Sequence, residues 1–249
     1  MQSTETTRTR AVILTTQRTG STFLAGCLES HPQIECAGEI LIGAPDVPQP
    51  QYRGPFKGIV KLARFAYSGA WRPGNRMRAF YAGGTARVRM FKAMYNQLAN
   101  PFALGYLRQQ EDLRIVHLRR KNLLKVHVST LLMPKRAHAQ ALMAVEPVWI
   151  HVNPAAAIAS MRRARALYTH FELQFERHPR LQVAFEDLFD GQYLQVGTAA
   201  RICDFLGVEQ HPMKSRIVRL NPESLREMVT NYDELADAVS RTEFAEMLE

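Results

Sequence analysis

The chain has 249 residues, of which 46% are apolar and 22% charged, the balance of a globular protein long enough to bury a core without staples. Its three cysteines, Cys27, Cys36 and Cys203, form no CxxC pair and no zinc-type cluster, and no run of about 18 apolar residues occurs. A disordered chain, a disulfide scaffold, a zinc module and a helical membrane span are thereby excluded. The polar opening MQSTETTRTR argues against a secretory leader, so a cytoplasmic location is the expectation.

The net charge is +9, from 32 Lys and Arg against 23 Asp and Glu, which favours anionic partners. The charge is unevenly spread. No acidic residue lies between Asp46 and Glu111, while basic residues run from Arg53 to Arg108 with Phe65, Tyr67, Trp71, Phe80 and Tyr81 among them. That stretch is either a solvated basic face or a rim that attracts an anionic substrate or lipid.

In chain order, Ala11–Thr15 is a short apolar run bounded by turn residues and predicts a buried strand. A polar loop, Thr16 to Gly20, leads into a helix from Ser21 that places Phe23, Leu24, Cys27 and Leu28 on one face and ends before Pro32. Ile34–Ala37 predicts a second strand, followed by Gly38-Glu39. Residues 44–58 read as loop, and 59–82 as partly helical with a break at Pro73-Gly74. Arg87–Lys92, alternating charged and apolar, predicts a strand; so do Leu113–Leu118, Val148–Val152 and Leu181–Phe185. Helices are expected over 121–133, from Asn153-Pro154 onward (Asn as cap, Pro in the first turn), over about 192–206 ending at Gly207, and across 222–249. Strands alternating with helices predict an α/β fold: a central parallel sheet flanked by helices in three layers, in one domain over 1–249. Residues 1–9 read as a polar tail and 44–82 as a basic insertion on the acceptor side.

The first strand–loop–helix carries the chemistry. A glycine and small hydroxyl residues at a helix N-terminus, with its unpaired N–H groups, form an anion cradle. Arg18, Gly20, Ser21 and Thr22 would line it, glycine allowing close approach, hydroxyls donating and arginine adding charge. The alternative is an ordinary capped turn. No GK[ST] follows, so this is not a Walker A loop.

Gln17-Arg18-Thr19-Gly20-Ser21-Thr22-Phe23-Leu24 resembles the 5′-phosphosulfate loop of sulfotransferases, enzymes that use 3′-phosphoadenosine-5′-phosphosulfate (PAPS) and share a P-loop-kinase-like fold. A second element, Ile115-Val116-His117-Leu118-Arg119-Arg120-Lys121-Asn122 running on to Ser129, resembles the family's 3′-phosphate element: a strand, an arginine, then a serine. Arg120 and Ser129 fit its spacing, with Arg119 the competing choice. Phe185-Glu186-Asp187-Leu188 followed by Phe205-Leu206-Gly207 resembles the family's YEDL and FLG pair, with Phe185 in place of tyrosine; Phe91-Lys92 and Met94-Tyr95-Asn96-Gln97 also match bacterial members. The matches run in order through most of 11–235, and the flavour is that of bacterial carbohydrate sulfotransferases of the nodulation type.

The resemblance implies a nucleotide donor, no metal, and transfer of a sulfuryl group to a hydroxyl on a carbohydrate or glycolipid. Gln17, Arg18, Thr19, Gly20, Ser21, Thr22, Phe23, Arg120 and Ser129 are expected to hold the donor, and Glu39, Arg18 and Lys92 to act in catalysis. Glu39 is the expected base, with His31, His117, His127 and His151 as alternatives. Lys92 is read as a second cation or an acceptor-positioning group, against the bland reading of a lysine snorkelling from a sheet edge. Two other classes remain: a nucleotide kinase or NTPase with a degenerate loop, and a basic nucleic-acid or membrane-surface binding protein. The expected partners are the donor and acceptor, with peripheral membrane contact through the basic stretch and no nucleic acid.

Overall fold

The computed structural model describes residues 8–41, 73–133, 149–217 and 224–248. Five strands form one sheet: β1 (Thr9–Thr15), β2 (Ile34–Ala37), β3 (Val88–Met94), β4 (Arg114–Arg119) and β5 (Arg180–Ala184). Their order is β2-β3-β1-β4-β5 and every pairing is parallel. This is the three-layer α/β architecture expected from the alternating pattern, with β1 in the centre. The strand begins at Thr9, so that residue belongs to the sheet rather than to a tail.

The run Ala11-Val12-Ile13-Leu14 is continuous because the central strand is covered on both faces. Val12 and Leu14 point into one apolar cluster and Ala11 and Ile13 into the other, all fully buried. The first cluster lies under helices Pro73–Ala82, Pro101–Arg108, Leu123–Leu132, Pro154–Gln174 and Tyr232–Ser240. The second lies under helix α1 (Ser21–Glu29) and helix Val196–Leu206.

Local signals account for most element ends. Asn153 caps Pro154–Gln174 by accepting from the Ala156 N–H, and Asn122 caps Leu123–Leu132 by accepting from Lys125 N–H. Gly207 ends Val196–Leu206 in the left-handed conformation at φ 70°.

Several expectations need correction. β3 reads as half-polar, yet all of its residues are buried, because it lies inside the sheet between β2 and β1. Val148–Val152 is not a strand over its described part; Ile150 makes one isolated bridge to Val229. The helix Pro73–Ala82 sends Met77 and Tyr81 into the core. Residues 73–82 thus contribute to the core. Tyr193–Leu194 pairs with Phe189–Asp190, so the helix expected from 192 starts at Val196. The C-terminal region is helical over Tyr232–Ser240 and 3-10 over Ala245–Leu248. The loop expected at 44–58, the rest of the insertion, and Phe65, Tyr67 and Trp71 lie outside the described residues. No helix among the described residues is long and apolar enough to cross a membrane.

Candidate active site

In an open parallel sheet, ligands bind beyond the carboxyl ends of the strands, where the loops diverge. Most of the predicted site residues lie at or near that edge: 16–23 after β1, Glu39 after β2, Lys92 near the end of β3, and Arg120 after β4.

The loop after β1 is braced from within. Thr15 Oγ1 and Thr19 Oγ1 lie 2.6 Å apart, one donating to the other, and the remaining hydroxyl proton goes to a backbone carbonyl, Leu118 being 2.9 Å from Thr15 Oγ1 and Thr16 2.9 Å from Thr19 Oγ1. Thr19 is fully buried, so its hydroxyl shapes the loop instead of facing a ligand. Phe23 is likewise turned into the core, its ring 4.4 Å from that of Phe189, which leaves only its backbone N–H toward the site. Gln17 and Thr22 are exposed.

Gly20 is the N-cap of α1 at φ 77°, with no side-chain cap and no acidic residue in the first turn. A Cβ there would come within 2.8 Å of the Phe185 ring, so glycine is required by conformation and by space. Arg18 has φ 63°, the left-handed region that a long side chain seldom enters.

Arg18 turns toward the β4 element. Its Nε donates to Ser129 Oγ at 2.9 Å, and Arg120 Nη1 donates to the Arg18 carbonyl at 3.4 Å. Arg120 and Ser129 are both buried. The Arg120 guanidinium lies 4.2 Å above the Phe185 ring, and its backbone N–H donates to the Tyr168 hydroxyl. Arg119 points elsewhere, to Glu172 at 2.8 Å and to Gln182. Of the doubled arginine, then, Arg120 is the one that contacts Arg18, whose guanidinium reaches Ser129. Glu186 holds the turn after Arg120 by accepting from the backbone N–H groups of Lys121 and Asn122.

A second cluster lies on the β2–β3 side. Lys92 Nζ is 2.9 Å from Glu39 Oε1 and donates to Thr22 Oγ1 at 3.3 Å. The reading of Lys92 as an edge lysine fails, because β3 is an interior strand and Lys92 is 7% exposed. The other Glu39 oxygen accepts from Gln97 Nε2 at 2.8 Å. Glu39 thus reaches the first turn of α1 through Lys92.

The histidines are placed for other tasks. His31 lies at the far end of α1, with Nε2 on the Glu209 carbonyl and Nδ1 accepting from Gln33 N–H. His117 is buried inside β4, its Nε2 bonded to the Tyr95 hydroxyl at 2.5 Å, and burial pulls its imidazole down to about 3. Burial also lowers His127, on the helix that carries Ser129. His151 is exposed, before the cap of the 154–174 helix. Among the aromatics of the basic stretch, Tyr81 is buried with its hydroxyl on the Ala11 carbonyl, and Phe80 supports the Arg89 guanidinium. Neither ring is available to stack on a base.

Sequence reasoning quoted Gln97 and Phe185 within motifs but gave neither a place in the site, and it passed over Tyr168. The signal for Gln97 was its position five residues beyond Lys92; nothing local pointed to Tyr168, which arrives from a distant helix.

The model of the sulfotransferase family matches residues 11–212. No curated protein matches the sequence. Among solved structures, a sulfotransferase from Alicyclobacillus acidocaldarius is similar, with 17% identity and a TM-score of 0.48, over 97% of this chain and 96% of that one.

Proposed function

The chain belongs to the sulfotransferase family, and from that premise we propose that it transfers a sulfuryl group from PAPS to a hydroxyl of a carbohydrate or glycolipid acceptor. The observation that carries this reading is the pair of hydrogen bonds that joins Arg120 and Ser129 to Arg18, in the loop that leads into a helix N-terminus no side chain caps. Cationic and hydroxyl donors from two strand ends suit a ligand with two separated anionic groups. Glu39, paired to Lys92, is linked to the first turn of the same helix through the Lys92 contact to Thr22.

The donor, when bound, supplies the sulfuryl group and a bisphosphate leaving group. The first-turn N–H groups of α1, with Gln17, Gly20, Ser21 and Thr22 around them and Arg18 beside them, hold its 5′ end and stabilise the charge that builds there. Thr19 and Phe23 serve that grip through the backbone. Arg120 and Ser129 hold the 3′-phosphate. Glu39 accepts the acceptor's proton as the hydroxyl attacks in line. Lys92 ties the base to Thr22 and so to the donor loop, fixing the reacting groups relative to one another. No step requires a metal. The whole chain acts as one domain, and the acid-free stretch supplies the acceptor side and any contact with a membrane surface.

The test is transfer of labelled sulfate from PAPS to a panel of sugars, glycolipids, phenols and tyrosine peptides. Labelled carbohydrate or glycolipid is the expected product. Label on phenols or peptides alone would overturn the acceptor class; no transfer, with hydrolysis of Mg-ATP, would overturn the reading as a whole.

A further inference from the structure

We infer that Gln97 is a positioning residue: it holds the Glu39 carboxylate in the orientation from which that group accepts the acceptor's proton. The inference rests on the reading of Glu39 as the base.

Glu39 has little support from its own segment. β2 ends at Ala37 and Gly38 is exposed, so Glu39 stands outside the strand, between it and the buried Leu41. What fixes the carboxylate comes from β3 and the turn that follows it. The Lys92 N–H donates to the Gly38 carbonyl at 3.1 Å, extending the β2–β3 ladder to the residue before Glu39. Lys92 Nζ then takes Oε1, and Gln97 Nε2 takes Oε2 at 2.8 Å.

The direction of the Gln97 amide is set by the backbone. Met94 N–H donates to Gln97 Oε1 at 3.1 Å. A backbone N–H can only donate, so the amide oxygen must face it and the amide NH2 must face Glu39. Gln97 therefore presents a donor, never an acceptor, to the carboxylate. It stops rotation about the last torsion of Glu39. Each carboxylate oxygen keeps a further lone pair for the acceptor's proton. Lys92 alone would leave that torsion free, since a single ammonium contact is a point of attachment and not a plane.

Gln97 also closes the one-turn helix Tyr95–Leu98 through its bond to Met94 N–H. A purely structural role must be separated from positioning, and Gln97→Glu does so. The substitution is isosteric and keeps an oxygen for Met94 N–H, but it replaces the donor facing Glu39 with a second carboxylate. Wild type, Gln97→Glu, Glu39→Gln and the double variant are to be compared in the sulfate-transfer assay, with affinity for adenosine 3′,5′-bisphosphate measured in parallel. The expected result for Gln97→Glu is a fall in kcat of about 10–100-fold with nucleotide affinity within about twofold of wild type. In the Glu39→Gln background the same substitution is expected to cost less than about twofold, because the group it positions has already been disabled.

A Gln97→Glu variant with wild-type kcat, beside a Glu39→Gln variant that has lost turnover, would overturn the role of Gln97 alone. Full additivity of the two losses would do the same. Wild-type turnover in Glu39→Gln, or no transfer by the wild type, would overturn the reading of the base and with it this inference.

Discussion

At the residue scale, the candidate site is set by a few conformations that cost energy. Arg18 at φ 63° occupies a region disfavoured by about 1–2 kcal/mol for a residue with a Cβ, and it is held there by the hydroxyl network beneath it and by the Arg120 contact to its carbonyl. The geometry sends its guanidinium across to Ser129. Arg18→Ala keeps the Cβ and so the backbone cost, which makes its effect a measure of the guanidinium. The expected result is a loss of about 1.5–3 kcal/mol in donor affinity, roughly 10–150-fold, by calorimetric titration. Arg18→Lys restores the charge but not the fork and should recover only part of the loss. Unchanged affinity in Arg18→Ala would remove this residue from the donor site. The place of this loop was legible in the sequence because a glycine and hydroxyls follow a short apolar run and precede a helical one. Their division of labour was not: Thr19 faces inward, onto Thr15, which in turn meets the Leu118 carbonyl of another strand, while Thr22 faces outward.

At the element scale, β4 with its following turn shows what patterning conveys and what it hides. Its apolar run predicts a buried strand, and the register of Val12 on Ile115 and Leu14 on His117 places it beside the centre. Which of Arg119 and Arg120 turns into the site could not be read from the doubled arginine. The partners decide it: Glu172 and Gln182 for Arg119, Phe185 and the Arg18 carbonyl for Arg120. β3 misled in the opposite way, its arginine and lysine suggesting an edge that it does not have. Arg89 is buried against Glu35 and the Phe80 ring, and Lys92 against Glu39. Charges so enclosed survive only with partners, and those lie on β2 and just beyond its end, far off in sequence.

The buried histidine of β4 gives this element a pH signature. Burial first, then the nearby charges of Arg119 and Arg180, pull His117 from its ordinary 6.5 to about 3. Below 6.5 the unfolded chain binds a proton that the folded chain refuses, so the unfolded state is favoured as the pH falls. The stability tied to this group is present in full above 6.5 and is lost progressively as the pH drops toward about 3. The urea midpoint should therefore decline between pH 7 and pH 5, and decline less in His117→Asn. Equal declines in both proteins would show that other groups govern acid sensitivity.

At the scale of the whole molecule, the fold was legible because its rules are additive along the chain. Buried runs alternate with capped helices, and a parallel sheet covered on both faces is the outcome that buries them all. The site was legible only in part, since it is assembled from the ends of four strands whose separations in sequence bear no relation to their separations in space. Its electrostatic character nevertheless gives a property of the whole protein. Arg18, Lys92 and Arg120 are held in place before any ligand arrives, so binding an anionic nucleotide needs little rearrangement and should stabilise the fold as a unit. Adenosine 3′,5′-bisphosphate at about a hundred times its Kd is expected to add about 2.7 kcal/mol. For a domain of this size that is a rise of about 5–10 °C in Tm, measurable by scanning calorimetry. The rise should appear with EDTA present and should shrink in Arg18→Ala. A larger shift with Mg-ATP than with the bisphosphate would mean that this pocket is built for a nucleoside triphosphate, and the assignment of Arg120 and Ser129 to a 3′-phosphate would fall with it.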